Sequence, residues 1–233
     1  TVGKDVVQVL HDELRLAGVT TVRVVAVLND TVGTLVNQAF HDASCGGGLI
    51  FGSGTNGCYV ERTRNFVKPI NPSYTAELMI VNVEWGYFFS DALRSTPYDA
   101  WVDRHSVCAG VQHFEKMISG VYLGWLVCLV VNSLMRSGTV LARHLDKDAF
   151  ALGPIDVDSA KVTSHFTAED TRITEDTTPN LDEVDAVLRR LVIDDSTLAE
   201  RQAVKSVAAC VLERSAKFSA AATVALYRRW REY

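Results

Sequence analysis

Val-Arg-Val-Val-Ala-Val-Leu-Asn-Asp-Thr-Val-Gly-Thr-Leu-Val-Asn-Gln-Ala-Phe, residues 22–40, changes its period halfway along. Residues 22–28 are a nearly unbroken run of β-branched and apolar side chains, the pattern of a strand buried on both faces. Beyond them Thr34, Leu35, Val36 and Phe40 follow a helical spacing, and Thr31 is suited to cap that helix. A strand running into a helix predicts an α/β architecture. It also puts Asn29 and Asp30 at the carboxyl end of the strand, where open α/β sheets place their ligands. From position alone, a plainer reading of Asp30 takes precedence: an acidic first-turn residue favoured by the helix dipole.

Upstream, Val6, Val7, Leu10, Leu14 and Ala17 repeat at helical spacing, and Gly18 is placed to stop that helix. Downstream, residues 46–60 alternate glycines with short apolar runs, which predicts a β-hairpin whose tight turn exposes backbone N–H groups. Residues 79–83 are a third strand candidate, and a long buried helix is expected over 114–135. Residues 146–195 are acidic and irregular, with Pro154 and Pro179 as breakers and a short amphipathic helix through Leu181, Val184, Leu188 and Leu191. Thr197-x-x-Glu200 reads as a capping box that opens a final, alanine-rich helix.

Composition narrows the classes. Of the 233 residues 48% are apolar and 22% charged, so the chain buries a substantial core and is no disordered tail. A net charge of -5 without a basic stripe argues against a nucleic-acid partner. The five cysteines are scattered and lack CxxC or Cys/His ligand spacing, which fits a reducing compartment and neither a zinc site nor a disulfide framework. The longest apolar stretch, 118–131, is shorter than the roughly 18 residues of a membrane span and reads as a buried helix. The sequence opens at Thr1 without a start methionine, a basic n-region or a signal-type apolar run.

Three further places could carry chemistry. Gly52-Ser53-Gly54-Thr55-Asn56-Gly57 could cradle phosphate oxygens on backbone amides. It lacks the lysine of a P-loop and does not open a helix, so alone it is a hairpin turn. Glu84 and Glu115 lie among apolar residues, where a carboxylate is costly unless partnered. Most such residues are surface charges or salt-bridge members, yet rigid ionised acceptors in a dry pocket are also what sugar hydroxyls require. The six histidines form no catalytic constellation and no GxSxG elbow surrounds Ser53, so a hydrolase has no support.

Taken together and in order, four segments change the weighing. Leu-Asn-Asp-Thr-Val-Gly-Thr-Leu (28–35), Gly-Leu-Ile-Phe-Gly-Ser-Gly-Thr-Asn-Gly-Cys-Tyr (48–59), Val-Asn-Val-Glu-Trp-Gly (81–86) and Phe-Glu-Lys-Met-Ile-Ser-Gly-Val-Tyr-Leu-Gly (114–124) resemble consecutive signatures of eukaryotic hexokinases. Gly3-Lys4-Asp5-Val6-Val7 and Thr197-Leu198-Ala199-Glu200-Arg201 extend the likeness along essentially the whole chain. The resemblance implies the α/β actin-like ATPase (ribonuclease H-like) fold, a mixed sheet with packed helices. Residues 1–30 would then be the edge of the small domain and 31–233 the large domain. It implies ATP-dependent phosphorylation of the 6-hydroxyl of glucose or a related hexose, the first step of glycolysis, with Mg²⁺ bound through ATP. The catalytic base falls on Asp30 and the sugar-binding groups on Asn29, Asn56, Glu84 and Glu115. The phosphate segment falls on Gly52, Ser53 and Gly54, with Ser53 where the family usually has threonine. A looser likeness at 166–176 makes Thr167 a nucleotide-site candidate.

Hexokinases also carry an Asp-Leu-Gly-Gly-Thr phosphate loop, a Thr-Lys sugar loop and a late glycine-rich adenosine segment, none of which occurs in these 233 residues. The chain is therefore expected to be a large-domain fragment that alone shows no kinase turnover. The runner-up is a non-catalytic hexokinase-like domain that senses sugar, against which the intact polar set weighs. A third is another actin-like ATPase domain, which would have no use for Glu84 and Glu115 in these settings. The family default for location is the cytosol, with a glycosome as the alternative.

Overall fold

β1 (Gly47–Phe51) and β2 (Thr55–Arg62) form the expected hairpin, and β3 (Leu78–Asn82) joins the other side of β2. The result is an antiparallel sheet in the order β1-β2-β3. This computed structural model describes residues 3–70, 72–147, 150, 152–156, 161–164 and 166–231. α2 (Asp30–His41) lies on one face of the sheet, where Cys58 Sγ donates to the Thr31 carbonyl at 3.2 Å. α7 (Leu198–Arg231) covers the other face. A Cβ at Gly57 would stand 2.7 Å from Leu226 Cδ1 and 2.9 Å from Trp85 Cζ3, so only glycine allows this approach. Cys58 is fully buried between the two layers.

Most of the core is helical. α5 (Gly120–Arg136), α6 (Asp182–Arg190) and α7 pack Val127, Val131, Val184, Leu188 and Val204 against Phe150 and Phe166. α5 is apolar nearly all round, as befits a helix enclosed by others. α3 (Pro97–His105) presses Val102 against Leu123 and Leu126 of α5. It is tied to α7 by Arg214, whose guanidinium donates to both oxygens of buried Asp99 at 3.0 and 2.5 Å. The Thr197/Glu200 box opens α7 as expected, each backbone N–H donating to the other side chain at 2.8 and 3.3 Å.

Four expectations need correction. Residues 22–28 have no strand pairing among the described residues and are largely exposed, Val25 by 80%. A β-branched run becomes a strand only beside an edge with free N–H and C=O groups, and this sheet ends at β1 and β3 without reaching it. Nor is Thr31 the cap of α2; Asn29 is, its Oδ1 accepting from Thr31 N at 2.9 Å. The 114–135 helix is two helices, α4 (His113–Ile118) and α5, broken at extended Ser119. There the Gly120 N–H donates to Gly52 O at 2.8 Å and not to its own helix. Finally, Pro154 does not break a segment but lies within β4 (Leu152–Asp156), paired with β5 (Lys161–Ser164). The register slips between Leu152 and Ile155, as a residue without an N–H requires.

α1 (Val6–Leu16) stands apart from this packing. Asp5 caps it, Gly18 follows it at φ +75°, and none of its residues is buried.

Candidate functional site

β2 and β3 pair Cys58 with Asn82, and one further step of that register sets Asn56 opposite Glu84. The two residues meet. Asn56 Nδ2 donates to Glu84 Oε1 at 3.0 Å, and the Glu84 backbone N–H donates to Asn56 Oδ1 at 2.9 Å. Asn56 Oδ1 also accepts from Gly57 N at 2.8 Å, so its side chain is fixed in one orientation. Asn82 completes the group: its Nδ2 donates to Glu84 Oε1 at 2.5 Å, and its Oδ1 accepts from Asn56 Nδ2 at 2.9 Å. Both bonds that reach the Glu84 carboxylate fall on Oε1. Glu84 is an exposed residue, and its Oε2 has no partner among the described residues. Glu84 pays for this position in backbone strain, with φ 54° and ψ 44° in the left-handed region.

Glu115 reaches the same site from α4. Its Oε2 accepts from Thr55 N at 2.9 Å, immediately after the Gly52-Ser53-Gly54 turn. A Cβ at Gly54 would stand 3.0 Å from that oxygen, so a side chain there would push the Glu115 carboxylate aside. Glu115 Oε1 has no partner among the described residues. α4 is braced from behind by Lys116, only 4% exposed, which donates to Asp103 Oδ1 and to the carbonyls of Cys108 and Val111 at 2.6–2.7 Å. Burial of Asp103 would raise its pKa, but the Lys116 hydrogen bond, the Gly110 N–H and the charge of Lys116 together outweigh it and hold the carboxyl below its ordinary range. The nearby Tyr122 phenol is pushed up to about 12, first by burial and then by the negative groups of Cys108 and Glu115.

Asp30 opens α2. Its Oδ1 accepts from Thr31 N at 2.8 Å, which leaves Oδ2 without a partner among the described residues. Thr31 is fully buried and hangs on Cys58, and Asn56 lies two residues before Cys58 on the same face of β2. The α2 N-terminus with Asn29 and Asp30, and the Asn56/Glu84 pair, therefore share one side of the sheet.

The phosphate-turn candidates Gly52, Ser53 and Gly54 close the β1–β2 hairpin, with Gly52 N donating to Gly54 O at 2.9 Å. Gly52 packs on Gly120 of α5, where a Cβ would stand 3.1 Å from Gly52 O. One turn further along, a Cβ at Gly124 would stand 3.0 Å from Phe166 O and 3.1 Å from the Thr167 carbonyl carbon. One face of α5 thus supports both the turn and the Thr167 segment. The Thr167 side chain itself is engaged in a box with Asp170, its Oγ1 donating to Asp170 Oδ2 at 2.9 Å.

Sequence reasoning missed Asn82 and Thr55. Asn82 had a signal: it is a polar residue at the end of an apolar strand, two residues before Glu84. Thr55 had none beyond its place in the turn.

A family model described as hexokinase matches residues 47–233, and a second with the same description matches 1–40. Hexokinase-3 of Oryza sativa subsp. japonica is 38% identical over 232 residues, covering 98% of this chain and 44% of that protein. Hexokinase-4 of Arabidopsis thaliana is 34% identical over 230 residues, covering 97% and 43%. Hexokinase from Schistosoma mansoni complexed with glucose superposes with a TM-score of 0.78 at 28% identity, covering 97% of this chain and 49% of that one. This chain thus spans less than half the length of these relatives. By the extent of the family match and the shared α/β fold, it belongs to the hexokinase family.

Proposed function

We propose that the full-length protein containing these residues transfers the γ-phosphoryl group of ATP to the 6-hydroxyl of glucose or a related hexose, the first step of glycolysis. One observation carries the reading. Glu84 and Glu115 are each locked through a single carboxylate oxygen, Glu84 by Asn56 and Asn82 and Glu115 by Thr55 N. Each keeps its second oxygen for a ligand. Fixed, ionised acceptors can take several ring hydroxyls at once, and a hexose lacking one of them would leave an acceptor that the bound sugar covers unpaired.

In this reading Asn29 and Asn56 complete the sugar contacts, and Asp30 is the base. Thr31 N holds Asp30 Oδ1, so Oδ2 accepts the proton of the 6-hydroxyl as O6 bonds to the γ-phosphorus and ADP leaves. The Gly52-Ser53-Gly54 turn offers backbone N–H groups and the Ser53 hydroxyl to phosphate oxygens, and Thr167 lies toward the nucleotide. Mg²⁺ enters on ATP and supplies charge neutralisation. Among the described residues no group of three or more acidic, histidine or cysteine side chains converges as a metal cage of its own.

Residues 1–30 are assigned to the edge of a small domain and 31–233 to the large domain. The exposed apolar positions of 22–28 and the absence of buried residues in α1 support that division. No helix among the described residues is long and apolar enough to cross a membrane. The cytosol is proposed as the location, on the reducing environment that suits the scattered cysteines. Glucose-dependent release of ADP from ATP by the full-length protein tests the proposal. Binding of nucleotide without any hexose binding would overturn it.

A further inference from the structure

Thr55 lies between the phosphate turn and the sugar carboxylates and is bonded to the elements on both sides. It is 7% exposed. Its N–H donates to Glu115 Oε2 at 2.9 Å. Its Oγ1 donates to Ile50 O at 3.0 Å, which closes the hairpin across Gly52-Ser53-Gly54. The same oxygen accepts from buried Trp85 Nε1 at 2.9 Å. Trp85 directly follows Glu84, whose backbone is in the left-handed region at the start of the short Trp85–Tyr87 helix, so the ring and the carboxylate hang on adjacent Cα atoms. Asn56, the next residue on β2, holds the other end of Glu84. A shift of the turn therefore cannot occur without moving Thr55, and a shift of Thr55 pulls on Glu115 through its N–H and on Glu84 through the indole.

We infer that Thr55 is a positioning residue that couples the hexose site to the phosphate turn, so that a nucleotide on the turn tightens the hold of Glu84 and Glu115 on the sugar. The inference rests on the hexose and ATP reading of the site. Coupling of this kind is reciprocal: hexose binding tightens the nucleotide by the same factor. The hydroxyl is the replaceable part. Valine keeps the shape and the backbone N–H but removes both the donor to Ile50 and the acceptor for Trp85, whereas serine keeps them.

The test is calorimetric titration of the full-length protein with glucose, with and without a non-hydrolysable ATP analogue and Mg²⁺. The wild type is expected to bind glucose at least about fivefold more tightly with the analogue present, within the usual range for coupled sites. Thr55→Val should reduce that ratio to under about twofold, and Thr55→Ser should retain it. A purely structural role would lower the melting temperature and leave the ratio unchanged. If Thr55→Val does not fold because the Trp85 N–H is orphaned, Thr55→Val combined with Trp85→Phe removes both partners and is measured in its place. An unchanged ratio in the valine variant or its double, or no coupling in the wild type, overturns the inference. Absence of glucose binding and turnover in the wild type would instead overturn the function on which it rests.

Discussion

Asn56 and Glu84 hold each other at both ends, side-chain amide to carboxylate at 3.0 Å and backbone N–H to amide oxygen at 2.9 Å. The pair keeps a glutamate in a left-handed conformation that costs a non-glycine residue about 1–3 kcal/mol. Asn56→Ala should therefore do more than remove the proposed sugar contact, since it orphans the N–H groups of Gly57 and Glu84. The expected loss is about 1–3 kcal/mol, or roughly 5- to 150-fold in kcat/KM for glucose. Asn56→Asp should also impair binding at neutral pH, because a carboxylate would then face Glu84 Oε1. Part of the loss should return as pH falls and the crowded pair takes up a proton. Steady-state kinetics across pH 5 to 8 reads both effects.

Glu84→Gln and Glu115→Gln should each weaken glucose binding and turnover together if, as proposed, both carboxylates contact the sugar and orient it. Competition binding with deoxy-glucose analogues would show which hydroxyl each one serves. A variant that lost turnover at unchanged glucose affinity would remove that residue from the sugar site.

Gly124→Ala tests the weakest of the nucleotide assignments. The new Cβ would stand 3.0 Å from Phe166 O and 3.1 Å from the Thr167 carbonyl carbon, so the Thr167 segment must shift away from α5. The expected result is a KM for ATP raised severalfold with glucose affinity in the absence of nucleotide unchanged. Equal effects on both substrates would mean that the segment serves only the core.

Far from the site, Glu200 links the start of α7 to Arg143. The Arg143 hydrogen bond, with the Thr197 N–H and hydroxyl, brings its carboxyl down from 4.5 to about 2. A folded pKa below the unfolded one gives stability that is present above about pH 5 and is lost as pH falls toward 2. Arg143→Met should lower the melting temperature at pH 7, and the gap to wild type should narrow steadily toward pH 2. A gap independent of pH would show that Arg143 acts through packing alone.

The sheet and the polar set were legible where local pattern and pairing agree. The glycine-spaced hairpin and the 79–83 strand appear as expected, and the register that follows brings Asn56 to Glu84. The rest depended on partners distant in sequence. Residues 22–28 have strand composition, but a strand needs an edge, and local pattern says nothing of where that edge lies. Helical periodicity runs unbroken through Ser119 because both flanking helices are apolar. The break comes from Gly52 O, far away in sequence, which takes the Gly120 N–H. Asp30 was visible as a carboxylate at an element junction, and its proposed role as base came only from the ordered likeness to hexokinases. Thr55 was hidden because a hydroxyl in a turn looks the same whether it faces water or a buried indole.

The central claim is that Asp30 takes the proton from the sugar while Asn29, Asn56, Glu84 and Glu115 hold it. Asp30→Ala in the full-length protein, studied by glucose calorimetry alongside ATP turnover, tests it most directly. The account predicts glucose affinity close to wild type and a loss of at least about a hundredfold in kcat, the usual contribution of a general base. Turnover above about a tenth of wild type, at comparable glucose affinity, would contradict it.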